Sequence, residues 1–286
     1  MVNTRCALGE GPTWQRRPGR LIWLDIDSQI LHWLDQDEVH TEARLDRRIT
    51  CVASRSGGGL VGAAGDWIVT MDDDGGVTGT VAQVPGGAEL GTNDGRCDPQ
   101  GQLWVGTVDR SGDLRAGLFR VASNGDVVMM RAGVGLSNGI DWSPGGTMAY
   151  YVDSDTRRID RLELDDGGSL AGFEPFVVVD AIPDGLTVDA EGGVWLALWD
   201  GGAVHRYGPD GSLDLVVDVP GGFVTSCAFG EGRWSTTLFV TTAASGLEPD
   251  SPRSEGAGAL FAVEVGVVGR GYHEFGVGTT DGSDGA

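Results

Sequence analysis

Four oxygen-bearing side chains recur along this chain in a shared phase. Asp184 lies in "IPDGLTV", Asn138 stands 46 residues upstream in "LSNGIDW", and Asn93 a further 45 upstream in "TNDGRC". Glu10, in "LGEGPTW", is 83 residues before Asn93, close to two such steps, and 41 residues beyond Asp184 the same place holds Thr225. An Asp-Gly or Asn-Gly pair taken alone is an ordinary turn, as expected at Asp74-Gly75 and Asp210-Gly211. In-phase recurrence at the start of apolar runs argues for more. Carboxylates brought close without compensation raise each other's pKa, and a bound cation removes that cost. All-oxygen ligation suits a hard ion such as Ca²⁺ or Mg²⁺. Glu10, Asn138 and Asp184 are the expected metal ligands.

Such a site needs elements that bring distant residues face to face. Gly-led apolar runs appear at 19–26, 57–65, 101–109, 146–153, 192–200 and 236–243. With Trp23, Leu60, Trp104, Tyr151, Trp195 and Phe239 as equivalents, the steps are 37, 44, 47, 44 and 44 residues. Each run is followed after a short turn by a second, which makes six copies of a hairpin. A period of about 40 to 45 residues with several short strands per copy is the mark of propeller blades. The predicted fold is all-β, a six-bladed β-propeller with four-stranded blades and a central metal-binding channel. Residues 1–277 are expected to form one domain, and 278–286 a flexible tail.

Composition bounds the function. Gly is frequent, 49 of 286 residues, which suits many tight turns. The formal charge is −22, and every one of the 20 basic residues is Arg. So acidic a surface disfavours nucleic acid and anionic membranes, and the absence of Lys removes Schiff-base chemistry. The four Cys (Cys6, Cys51, Cys97, Cys227) lie far apart, as small hydrophobes rather than a disulfide framework. No apolar run reaches 18 residues and the N-terminus lacks an apolar signal core, so the expectation is a soluble, cytoplasmic protein with no protein partner implied.

The segments "LGEGPTW", "NDGRCDPQGQLWVGT", "LSNGIDWSPGG", "PDGLTVDAEGGVWLALWDGGAVHRY" and "TSCAFG" occur in the order and pattern of the regucalcin (senescence marker protein), gluconolactonase and luciferin-regenerating enzyme family. The chain resembles that family from residue 8 to about 242. The resemblance implies a six-bladed propeller with a divalent cation in its channel: Ca²⁺ first, with Zn²⁺, Mg²⁺ or Mn²⁺ as alternatives. By motif match its ligands fall on Glu10, Asn138 and Asp184, and its substrate contact on Asn93. Relatives open sugar-acid lactones and other cyclic esters, and some hydrolyse organophosphates. Two departures concern substrate. The family's Arg two residues before the Asn is Gly91 here, and the segment after "VGTVD" is short where relatives often carry a loop with a substrate-binding Glu.

The expected activity is metal-dependent ester hydrolysis, opening a lactone or related cyclic ester with activated water. Asp184 is the expected general base and Asn93 a hydrogen-bond donor to substrate. The alternative is a metal- and metabolite-binding propeller without turnover; a protein-interaction propeller fits less well, since Trp-Asp and Gly-His signatures are absent. Other signals are discounted. "GLSNG" at 135–139 leads into a strand, so Ser137 is no nucleophile; "GGGLVG" at 57–62 has no βαβ unit around it. "MDDDGG" at 71–76 reads as a hairpin tip, and the four His show no metal-ligand spacing. Trp104 and Trp195 are expected in the core of inner strands, Trp199 in the core or at the pocket edge, and Arg47 and Arg48 in the channel or on the surface.

Overall fold

The computed structural model describes residues 1–86, 90–165, 168–248 and 250–276; the expected tail at 278–286 lies outside them. Twenty-three strands form six antiparallel sheets. The innermost strands are β1 (Gly9–Gln15), β5 (Cys51–Ser54), β9 (Thr92–Cys97), β13 (Ser137–Trp142), β17 (Pro183–Val188) and β21 (Phe223–Phe229). Each packs on the inner strand of the next sheet, and β21 packs back on β1, so the six sheets close into a ring. The chain folds as the predicted six-bladed propeller.

The hairpins read from the sequence are the middle strands of the blades: β2 (Arg20–Asp25) with β3 (Ile30–Asp35), β6 (Leu60–Ala64) with β7 (Trp67–Met71), β10 (Leu103–Thr107) with β11 (Ala116–Val121), β14 (Met148–Asp153) with β15 (Arg158–Leu164), β18 (Val194–Leu198) with β19 (Ala203–Tyr207), and β22 (Thr237–Ala243) with β23 (Leu260–Glu264). Trp104 and Trp195 are fully buried, but on the second strands β10 and β18 rather than on inner strands. Five sheets have four strands and the sixth has three among the described residues. Its open edge is met by the N-terminus, where Val2 and Leu260 exchange backbone hydrogen bonds of 2.8 and 2.9 Å.

Six apolar clusters fill the six spaces between neighbouring blades. Trp104 and Leu118 of the third blade meet Trp142, Tyr151 and Leu162 of the fourth; Trp195 and Val204 of the fifth meet Cys227, Phe229 and Leu238 of the sixth. Full burial of such a side chain contributes about 1.5–3 kcal/mol, and a lone blade would leave these faces wet. All four Cys are free thiols in these layers, as expected.

The glycines after Asn138 and Asp184 have a packing reason. A Cβ at Gly139 would lie 2.4 Å from the Leu186 nitrogen, and one at Gly185 2.1 Å from Ser226 Oγ. Neighbouring inner strands converge on the axis there, and only Gly fits. Residues 268–276 then cross the face where the inner strands end. Val268 accepts from Ala190 N, Phe275 N donates to Ser54 O, and Gly276 N donates to Gly101 O, which joins the fifth blade to the second and third. No helix among the described residues is long and apolar enough to cross a membrane.

Candidate functional site

Five of the six inner strands break register where they open. The irregularities fall between Glu10 and Thr13, opposite Val105 to Thr107 in β9, between Ser137 and Ile140, between Pro183 and Leu186, and between Val224 and Ser226. A bulge re-aims a side chain that a regular ladder would hold in the sheet faces. β5 alone pairs without a break, and none of its residues lines the cavity at the channel mouth.

That cavity measures about 330 Å³ and is lined by Glu10, Asn93, Asn138 and Asp184, together with Leu8, Leu136, Ile182, Ser154, Arg110 and Trp199. All four sequence-predicted residues therefore share one space. Thr225 does not join them: its hydroxyl donates to the Gly9 carbonyl at 2.5 Å and ties β21 to β1. Arg47 and Arg48 are exposed, and Arg48 pairs with Asp27 at 3.3 Å on the surface. Ser137 is fully buried, its Oγ accepting from Tyr151. Asp72–Gly76 is a turn in which Asp72 accepts from the Gly76 amide.

An apolar collar precedes the site oxygens by two residues: Leu8 before Glu10, Leu136 before Asn138, Ile182 before Asp184. Acids at the ends of second strands grip this collar by its backbone. Asp25 accepts from the amides of Ala7 and Leu8, Asp153 from Gly135 and Leu136, and Asp200 from Ile182. In the third blade the collar position is Gly91, beside which a Cβ would meet open space. Trp199 completes the rim, stacked on Phe223 with ring centroids 4.6 Å apart.

The amides are oriented by a chain of donors. Asn138 Nδ2 donates to Ser154 Oγ at 2.8 Å, which donates to the Pro183 carbonyl at 2.6 Å. Asn138 Oδ1 accepts from Asn93 Nδ2 at 2.9 Å, and the same nitrogen donates to the Ser137 carbonyl at 2.9 Å. Both Asn93 amide hydrogens are thus engaged. Its open valence is the acceptor Oδ1, which revises the expectation that it donates to substrate.

Buried acids crowd the site. Burial, and then the Asp94 carboxylate, push Glu10 up to about 8. Burial, then Glu10, then Asp94, hold Asp184 well above the carboxylate range. Asp94 itself is raised by burial. It follows Asn93 directly and escaped sequence reasoning because "NDG" reads as a turn; its missed signal is that β9 sets three polar residues before its Gly where β13 sets two and β17 one. Below it the channel closes. Asp141 lies between Arg96 at 2.9 Å and Arg270 at 2.5 Å; burial alone would raise it, but the two guanidiniums hold it low.

Two candidate features come from places the repeat does not mark. Arg110, exposed at the rim, is the cation among the residues lining the cavity. It opens a short loop knotted around Asp109, which accepts from Ser111 N and Oγ and from Arg115 N. The second is a histidine pair, contrary to the expectation that the His lack ligand spacing: His32, His40 and Glu42 place ligand atoms within 4.8 Å of one another on the outer strands of the first blade.

The SMP-30/gluconolactonase/LRE-like region matches residues 8–244. The chain belongs to this family. Among family relatives, a pentonolactonase of Haloferax volcanii is 34% identical over 290 residues, covering 94% of this chain and 95% of its own. A 6-deoxy-6-sulfogluconolactonase of Pseudomonas putida is 34% identical over 281 residues, with the same coverages, 94% and 95%. In structure, the calcium-binding protein regucalcin of Agrobacterium tumefaciens superposes with a TM-score of 0.86 at 32% identity, covering 96% of this chain and 95% of that one.

Proposed function

We propose that this family member is a divalent-metal-dependent lactonase, a carboxylic ester hydrolase that opens a sugar-acid lactone or related cyclic ester. The observation that carries the reading is the shared cavity, where two carboxylates and two amides face one another and burial, then neighbouring acid, raises the pKa of both Glu10 and Asp184. The lactonase names of the relatives support the reaction type, and the regucalcin neighbour supports a cation, Ca²⁺ first.

Glu10, Asn138 and Asp184 would hold the ion, with Asp94 adding charge beside them. When bound, such an ion supplies electrophilic polarisation of the ester carbonyl and a lower pKa for water. Asp184 accepts the proton of the attacking water, once the charge it faces keeps it ionised. Asn93 Oδ1 accepts from a substrate hydroxyl, and the collar of Leu8, Leu136 and Ile182 excludes bulk water from the ester. Arg110 grips the polar edge of the substrate in the absence of an arginine at Gly91. Four buried free thiols suit the reducing cytoplasm.

Chelated protein, assayed on a panel of lactones and an aryl ester with Ca²⁺, Mg²⁺, Mn²⁺ or Zn²⁺ restored singly, tests the reading. Metal-dependent lactone opening is expected. A metal-dependent rise in melting temperature without turnover on any substrate would replace it with a binding propeller.

A further inference from the structure

The outer face of the first blade holds a group of ligands that the channel chemistry does not use. His32 on β3 pairs across the sheet with Glu42, and Leu34 with His40, on β4 (His40–Arg44). The register sets His32 diagonally opposite His40, so a spacing of eight residues, meaningless in the sequence, becomes a contact. His32 Nδ1 lies 3.1 Å from His40 Nε2 and 3.5 Å from Glu42 Oε2. Ligands about 2.0–2.1 Å from a tetrahedral ion stand about 3.3–3.4 Å apart, and both separations bracket that edge.

The protonation of His32 follows from a chain of donors. Thr4 spends its hydroxyl hydrogen on the Gly258 carbonyl at 2.8 Å, so towards Cys6 its oxygen accepts, and the Cys6 thiol donates to it at 3.2 Å. The Cys6 sulfur, 3.6 Å from His32 Nε2, is left only lone pairs and accepts from that nitrogen. The hydrogen therefore sits on Nε2 and the lone pair on Nδ1, aimed at His40 and Glu42. This is the arrangement that prepares an imidazole to ligate: the far nitrogen donates and fixes the tautomer. Burial favours the same neutral state, holding His32 down at about 4 and Cys6 up at about 11. Both rings lie over Trp23, at centroid distances of 5.1 and 5.4 Å, which limits their movement.

We propose that His32 Nδ1, His40 Nε2 and Glu42 form a binding site for a borderline divalent ion of the Zn²⁺ class, separate from the channel. Imidazole ligation selects such ions over Ca²⁺. His32 is buried, His40 half-buried and Glu42 exposed, so the ion enters from solvent and keeps an open position there. It would pin the β3–β4 edge of the blade. Without an ion, His40 Nε2–H donates to His32 Nδ1, and entry of the ion moves the His40 hydrogen to its other nitrogen.

The test uses the full chain carrying Glu10→Gln and Asp184→Asn, which removes the two carboxylates proposed as channel ligands, and titrates it with Zn²⁺ by calorimetry and with Co²⁺ by visible absorption. One equivalent of ion is expected, with the visible bands of a four-coordinate Co²⁺ site. Adding His40→Ala should weaken binding by a factor of roughly a hundred or more, since loss of a ligand exceeds the roughly 10- to 100-fold cost of losing a supporting contact. Adding Glu42→Gln, at an exposed position, should weaken it less. No uptake by the channel variant, or uptake that His40→Ala leaves unchanged, overturns the proposal and leaves a plain histidine–histidine hydrogen bond. The result is independent of the lactonase reading, because the proposed channel ligands Glu10 and Asp184 are replaced throughout and His40→Ala reports on the blade site alone; in the otherwise native chain, His40→Ala should leave lactone turnover unchanged.

Discussion

The two ends of the channel treat buried acid in opposite ways. At the closed end Asp141 is held between Arg96 and Arg270 and takes further hydrogen bonds from Thr187 and the Val188 amide. At the open end Glu10 and Asp184 share the cavity, Asp94 lies close enough to raise both, and no described arginine forms an ion pair with any of the three. The first arrangement is complete as folded, and the second leaves its acids without a basic ion-pair partner among the described residues, which is where the proposed cation would sit. The fold can supply guanidiniums to this axis, and at the mouth Arg110 lines the cavity without an ion pair to these acids among the described residues.

The sharpest way to break the contrast is Asp184→Asn, which should cut lactone kcat/KM by roughly a thousandfold or more at saturating metal, equivalent to about 4 kcal/mol, with an unchanged circular-dichroism spectrum. Retained turnover would remove Asp184 from the chemistry. Asp141→Ala at the closed end should instead act on stability. It strands two buried guanidiniums, a loss of about 3–5 kcal/mol by urea unfolding, while the protein that remains folded keeps its metal affinity.

A pH series separates the ends further. Glu10 ionises near 8 in the folded chain against an ordinary 4.5, so between those values the cation-free native state binds more protons than the unfolded state. Its stability is present below about pH 4.5 and should fall by a few kcal/mol as pH rises through 8. Saturating Ca²⁺ should flatten that fall, read as urea midpoints at pH 5 and 8 with and without chelator. A curve that rises over this interval without metal would contradict the account. The smallest effect belongs to the rim: Arg110→Ala should raise KM about tenfold, close to 1.4 kcal/mol, and leave kcat nearly unchanged.

Much of this was legible in the residues because the repeat is regular where burial is greatest. The second strands are largely apolar, so Trp23, Trp104 and Trp195 announce the period, and the oxygen-then-glycine step survives at Asn138 and Asp184 because converging inner strands demand it, and at Glu10 because Gly11 takes a positive φ. The outer strands, such as Leu213–Asp218, are largely exposed and mixed in polarity, and they leave no comparable trace. Asp94 was hidden by its turn-like neighbours. Arg110 depends on a loop knotted by Asp109, and the His32–His40 contact depends on a cross-strand register; both are relations between elements, not patterns along one.

The chain fastens itself at both ends. Its second residue bridges to the last strand of the sixth sheet, and its final described stretch straps the far face from the fifth blade to the second and third. An open row of stacked repeats can fray from either tip, shedding units singly. Here no blade is a tip, so melting should appear as one sharp event on every spectroscopic probe, and clipping the first few amino acids should soften the whole hoop rather than one sector of it.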